Sequence, residues 1–281
     1  MDFNEVLFEN ANKIKNASVE IIGRSVMGKE LFIIRKGSGK KKLFLSAAHH
    51  ANEWITALVL SKFSEEEEIP DGITAVILPL GNPDGASLVR GELCEGKYFE
   101  KARSISEKHL KIPFPEGWKA NISGYDLNLS YPAGFYKAKE IKAKKGYFSP
   151  SPRDFCGEHP LSPCESMAVY RLVLKEKFDM LLSFHTQGKE IYYRYGEKEP
   201  HESFKIAKEM EKESGYKAVI TPPESDYAGL KDWFILKYNK PAFTIEAGQG
   251  ISPLPLDNFD EIYEECAKII KVALKYLLLP N

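Results

Sequence analysis

The sequence contains no apolar run of the roughly 18 residues needed to cross a bilayer as a helix. Charge imbalance is missing too: 39 Lys and Arg stand against 40 Asp and Glu, a net charge of -1. That removes the electrostatic basis for nucleic acid or an anionic membrane surface as a partner. The opening stretch, MDFNEVLFENANKIKN, lacks a basic head followed by an apolar core. It is not a secretory signal, so a cytoplasmic chain is expected. Cysteine is scarce. Cys94, Cys156, Cys164 and Cys266 form no CxxC pair, and reduced thiols are expected. Internal repeats and Gly/Ser linkers are also missing. What the chain does have is 281 residues, 43% of them hydrophobic and 28% charged. That is enough for a large core without staples, and a single domain spanning residues 1–281 is expected.

Strand and helix patterns alternate. VEIIGRSV and ELFIIRKG predict a hairpin around Met27-Gly28, and LFLSAA, ITAVILPL, FDMLLSF and PAFTIEAG predict buried strands. EIYYRY and AVIT predict further strands. Helical spacing covers Glu53 to Phe63, HESFKIAKEMEKESG, LKDWFILKY and the long C-terminal NFDEIYEECAKIIKVALKYLLL. Ser162, with Pro163 next and Glu165 three residues on, predicts a capped helix start. Residues 86–160 lack clear periodicity and are rich in Gly, Pro and aromatics, the composition of a long functional loop. The expected fold is α/β, with a mixed, mainly parallel central sheet flanked by helices.

In such sheets ligands bind beyond the carboxyl ends of the strands. Three predicted strands end there in chemically useful residues. LFLSAA runs into His49-His50 with Glu53 three residues on, FDMLLSF into His185, and PAFTI into Glu246. His50, Glu53 and His185 would leave an open position on a tetrahedral ion, the arrangement of catalytic zinc. HxxE alone is weak: six His and 30 Glu in this length give roughly 0.6 matches by chance. His49 competes for the ligand role, and the three-residue spacing favours His50. Glu246, a carboxylate closing an apolar strand, is costly unless paired or functional, and suits a general base.

With these residues in place, the chain resembles the zinc carboxypeptidase family. IGRSVMGKEL, HHANEWIT, LPLGNPDG, GYDLN, SFHTQG and KDWFILKYNKPAFTIEAG follow that family's order of motifs, from about Ile22 to Gly248. The resemblance implies one zinc ion on His50, Glu53 and His185, with Glu246 as general base. It also implies Asn128 at a substrate carboxylate and Tyr227 as a mobile tyrosine closing over substrate.

Two positions depart from the family pattern. Leu129 stands where exopeptidases carry the Arg that grips a C-terminal carboxylate. Lys119 stands near the position of the oxyanion-stabilising Arg, with Arg90 as the other candidate. Both departures are shared with one branch. GWKANISGYDLNLSYPAGF, FSPSPRDFCGEHPLSPCES and DYAGLKDWF resemble bacterial γ-D-glutamyl-diamino acid endopeptidases. That resemblance implies a small peptide partner, a muropeptide cut between γ-D-glutamate and meso-diaminopimelate or L-lysine. Arg153 is then a candidate carboxylate clamp, unless it is tied in an ion pair with Asp154 or Glu158. Tyr131, Phe135, Tyr136, Tyr147 and Phe148 either line the cleft or pack the loop. The alternatives are a zinc amidohydrolase for acyl-amino acids, a carboxypeptidase of unusual specificity, and a non-catalytic binding module. Four intact site residues weigh against the last.

Overall fold

A computed structural model describes residues 2–223 and 225–279. Eight strands form one sheet: β1 (Ala17–Arg24), β2 (Glu30–Lys36), β3 (Lys41–Ala47), β4 (Ile73–Leu78), β5 (Met180–His185), β6 (Glu190–Tyr192), β7 (Lys217–Val219) and β8 (Ala242–Glu246). Their order is β1-β2-β4-β3-β5-β8-β6-β7. The middle strands β4, β3, β5 and β8 are parallel neighbours. They are also the strands whose sequences are nearly continuous apolar runs, as burial on both faces requires. β1 with β2, β2 with β4, and β6 with β8 pair antiparallel, so the sheet is mixed as expected.

The period of two along each strand divides its side chains between two cores. Leu43, Leu45, Ile77, Leu182 and Phe243 pack beneath α1 (Phe3–Ala11), α2 (Ile55–Glu66), α7 (Ser203–Ser214) and α9 (Phe259–Leu278). Phe44, Val76, Leu181 and Ala242 face α6 (Cys164–Glu176) and α8 (Leu230–Tyr238) on the other side. No helix among the described residues is long and apolar enough to cross a membrane. All four cysteines are free.

Three expectations need correction. Residues 86–160 are less irregular than their composition suggests. They carry most of α3 (Pro83–Val89), together with α4 (Gly96–Ser106) and α5 (Phe135–Lys144). In α5 only Phe135, Ala138 and Lys142 are buried, so no apolar stripe announces it. The capping box at Ser162 does not form. The Ser162 hydroxyl donates to His159 O, and Glu165 turns inward to accept from Asn121 Nδ2 at 3.1 Å. EIYYRY yields a strand of only three residues, because the chain turns back on itself at Tyr195 and Lys198. Helix α1 was not expected; Asp2 and Glu5 supply the capping box that starts it.

Candidate metal centre and cleft

Parallel register brings the carboxyl ends of β3, β5 and β8 together, and the functional side chains leave from there. His50 closes the turn after β3, and Glu53 ends a single 3₁₀ turn, Ala51–Glu53. The turn is fixed from below and beside. Asn82, which caps α3, donates through Nδ2 to His49 O and Ala120 O at 3.2 and 3.0 Å. Ala51 N–H donates to Lys119 O at 2.9 Å. Gly85 permits this packing: a Cβ there would lie 2.7 Å from Ala51 Cβ and 2.8 Å from Ala120 O. The predicted motif LPLGNPDG therefore serves the site by holding the ligand turn and the Lys119 segment in one piece.

His50, Glu53 and His185 each offer one ligand atom, and these lie within 4.8 Å of one another. His50 Nδ1 is 2.9 Å from Glu53 Oε1, and His185 Nδ1 is 2.9 Å from Glu53 Oε2. The outward nitrogens have acceptors. His50 Nε2 donates to Asp126 Oδ1 at 3.1 Å, and His185 Nε2 to Ser183 Oγ at 3.2 Å. With the Nε2 protons held there, loss of any proton from Nδ1 leaves its lone pair turned inward, which is the tautomer a metal needs. Two imidazoles and one carboxylate with outer support fit catalytic zinc. His49, the competing candidate, is buried behind the triad with Nε2 3.2 Å from Tyr131 Oη.

The charges are strongly coupled. Burial alone would raise the Glu53 carboxyl, but His50, Lys119 and His185 hold it well below the ordinary range. Burial pulls His50 down, yet Glu53 and Asp126 more than reverse this and leave it at about 9. Glu246 is pushed up to about 8, by burial first and by the Glu53 charge second, against the pull of Lys119 and His50. Lys119 Nζ lies 3.2 Å from Glu53 Oε1. Burial lowers the Lys119 ammonium, but Glu53, Asp126 and Glu246 together outweigh it, so the group stays charged.

Two chambers meet at Glu246. The inner one, of about 190 Å³, is walled by His50, Asn128, Leu129, Thr244 and several charged groups. Among these are two ion pairs, Lys142–Asp154 at 2.5 Å and Lys231–Asp232 at 2.6 Å. The outer one, of about 780 Å³, is more open and includes Asn52, Ile112, Pro113, Gln187 and Ile251.

The cleft gathers Lys119, Asn128, Arg153 and Glu246, all expected there. Asn128 Oδ1 accepts from Leu230 N–H at 3.0 Å. Arg153 faces both chambers and also pairs with Asp154 at 2.9 Å, so the ion pair does not withdraw it from the cleft. Arg90 is a correction. Its guanidinium stacks on Phe3 and Trp54 and pairs with Glu92, and it lines neither chamber. Tyr227 packs edge-on to Tyr195 and against Gly134 instead of lining the chambers. The loop aromatics pack as well. Tyr131 stacks on Trp233, Tyr147 stacks on His109, and Phe135 is buried, while Tyr136 and Phe148 are exposed.

Sequence reasoning missed Asp126, Lys142, Tyr192, Lys231 and Asp232. Asp126 was visible as the acid two residues before Asn128. Lys231-Asp232 was visible as an opposite-charge pair inside an otherwise apolar helix pattern, which is expensive to bury without a purpose.

The zinc carboxypeptidase family model matches residues 6–265. The chain is 38% identical to uncharacterized protein YqgT of Bacillus subtilis (strain 168), over 90% of this chain and 70% of that protein. It is 35% identical to gamma-D-glutamyl-L-diamino acid endopeptidase 1 of Lysinibacillus sphaericus, over 90% of this chain and 66% of that protein. The fold matches carboxypeptidase A from Helicoverpa armigera with a TM-score of 0.72 and 18% identity, over 99% of this chain and 73% of the other. Murein-tripeptide amidase MpaA from Escherichia coli O157 matches with a TM-score of 0.59 and 18% identity, over 97% of both chains.

Proposed function

Because the chain belongs to the zinc carboxypeptidase family, we propose that this zinc-dependent metallopeptidase hydrolyses the γ-D-glutamyl–diamino acid bond of peptidoglycan-derived peptides. The observation that carries the substrate is the inner chamber. Leu129 removes the charged grip that a plain C-terminal carboxylate would need. In its place stand two Lys–Asp pairs, with Arg153 and Asn128 beside them. A wall built from both signs suits a leaving group that itself carries carboxylate and ammonium, as diaminopimelate does. The 35% identity to an endopeptidase of that name supports the same choice.

A zinc ion held by His50, Glu53 and His185 would supply Lewis acidity for the scissile carbonyl and for the acidity of water. The protein's own groups do the rest. Glu246 takes the proton of the attacking water and hands it to the amine nitrogen as the C–N bond breaks. Lys119, held charged, faces the oxygen on which negative charge grows. Asp126 keeps His50 in its ligating tautomer. Asn128 and Arg153 orient substrate carboxylates, and Tyr227 would have to leave Gly134 to close over them. All of these groups belong to one catalytic domain in this reading. Four unpaired cysteines fit a reducing compartment, and we place the enzyme in the cytoplasm.

The test is hydrolysis of L-Ala-γ-D-Glu-meso-diaminopimelate, with and without chelator, read by mass spectrometry. Free diaminopimelate that vanishes with chelator and returns with zinc is the expected result. No release from metal-loaded protein would discard the cell-wall substrate and turn attention to acyl-amino acids.

A further inference from the structure

Among the described residues, four face both chambers: Lys119, Arg153, Tyr192 and Glu246. A substrate passing from one chamber to the other crosses this line, so these four border the bond that is cut. Glu246, Lys119 and Arg153 have roles above, and Tyr192 has none. Its placement follows from sheet register. β6 and β8 pair antiparallel with Tyr192 opposite Thr244 and Glu190 opposite Glu246. Side chains two apart on a strand share a face, so Tyr192 and Glu190 rise on the same face as the catalytic carboxylate.

The Tyr192 hydroxyl donates to Glu190 Oε2 at 2.6 Å. Burial and that bond both raise the phenol above its ordinary value, so it remains neutral. A phenol has one proton to donate. With that proton committed to Glu190, the oxygen can serve the cleft only as an acceptor. The neighbouring Lys119 and Arg153 are donors only, and at the scissile bond an N–H is the substrate group that needs an acceptor.

We propose that Tyr192 accepts a hydrogen bond from the N–H of the scissile amide and holds the leaving nitrogen in line with Glu246 as the C–N bond breaks. No proton leaves Tyr192. The proton that completes the amine comes from the attacking water by way of Glu246, and the new bond is carbon to water oxygen. The proposal rests on the reading of Glu246 as base and of an amine as leaving group.

Tyr192→Phe removes one oxygen and keeps the ring. The variant is compared with wild type on L-Ala-γ-D-Glu-meso-diaminopimelate and on the ester analogue whose leaving oxygen has no hydrogen. The amide kcat/KM should fall roughly 3- to 10-fold, the worth of one ordinary hydrogen bond. The ester should be cut as fast as by wild type, and metal content should be unchanged. Equal losses on amide and ester, or no loss on the amide, would overturn the role. If wild type cuts neither compound, the cell-wall reading falls separately. The same comparison on an N-acyl amino acid and its ester then decides the role of Tyr192.

Discussion

His185 and Glu246 stand opposite each other on the parallel neighbours β5 and β8, and His185 O accepts from Ala247 N–H at 2.7 Å. One step of sheet register thus sets a candidate metal ligand beside the proposed general base, with no loop between them to drift. Because Glu246 is not itself in the ligand triad, the two functions should separate. Glu246→Gln keeps the shape and removes the proton acceptor. One zinc per chain should remain by metal analysis, while kcat falls at least about 100-fold, the usual worth of general base catalysis. A variant that loses zinc together with activity would make Glu246 a ligand instead.

Metal loading should release protons. His50 is held at about 9, because Glu53 and Asp126 outweigh burial, so it is protonated at neutral pH. An ion can take Nδ1 only after the proton leaves. Affinity should therefore rise with pH up to about 9, with at least about one proton released per metal at pH 7. Titration calorimetry in buffers of different ionisation enthalpy reads this directly. An affinity that does not change between about pH 6 and pH 8 contradicts it.

The site's skeleton was legible because its chemistry sits at strand ends. LFLSAA, FDMLLSF and PAFTI are apolar until the residue that matters, so His50, His185 and Glu246 are marked by the break in pattern. The cleft walls were harder to read. Arg90 and Arg153 both occupy long segments without periodicity, and nothing local separates a guanidinium stacked on Phe3 and Trp54 from one facing the cleft. Tyr192 lies in a three-residue strand whose partner, β8, is about 50 residues further along the chain. That pairing is a property of topology, which one-dimensional pattern does not carry. Helix α5 shows the converse case. It stands on Phe135 and Ala138 docking to the loop beneath it, and its exposed lysines carry no core signal.

The two arginines make a matched pair of tests. Arg153→Ala should lower kcat/KM on a substrate with free carboxylates about 10-fold or more, chiefly through KM, as loss of a charged hydrogen bond does. Arg90→Ala should leave kcat/KM within about twofold. Its cost is structural, about 0.5–1 kcal/mol for each aromatic stack lost, read as a lower Tm. Activity loss in Arg90→Ala with an unchanged Tm would restore Arg90 to the cleft.

Glu176 gives a pH test away from the site. At the end of α6 it accepts from Arg35 at 2.9 Å and from Lys42 at 2.7 Å, tying the helix to β2 and to the start of β3. Burial would raise its carboxyl, but Arg35 and Lys42 win and hold it below the ordinary value of 4.5. A carboxyl lowered by folding contributes stability above its unfolded value, and loses that contribution as pH falls through its folded value. Wild type should therefore exceed Glu176→Gln in urea midpoint at pH 7, and the gap should close as the pH falls from the ordinary carboxyl value of 4.5 through the lower folded one. A gap that stays constant over this range would assign the contribution of Glu176 to packing, with the two cations as bystanders.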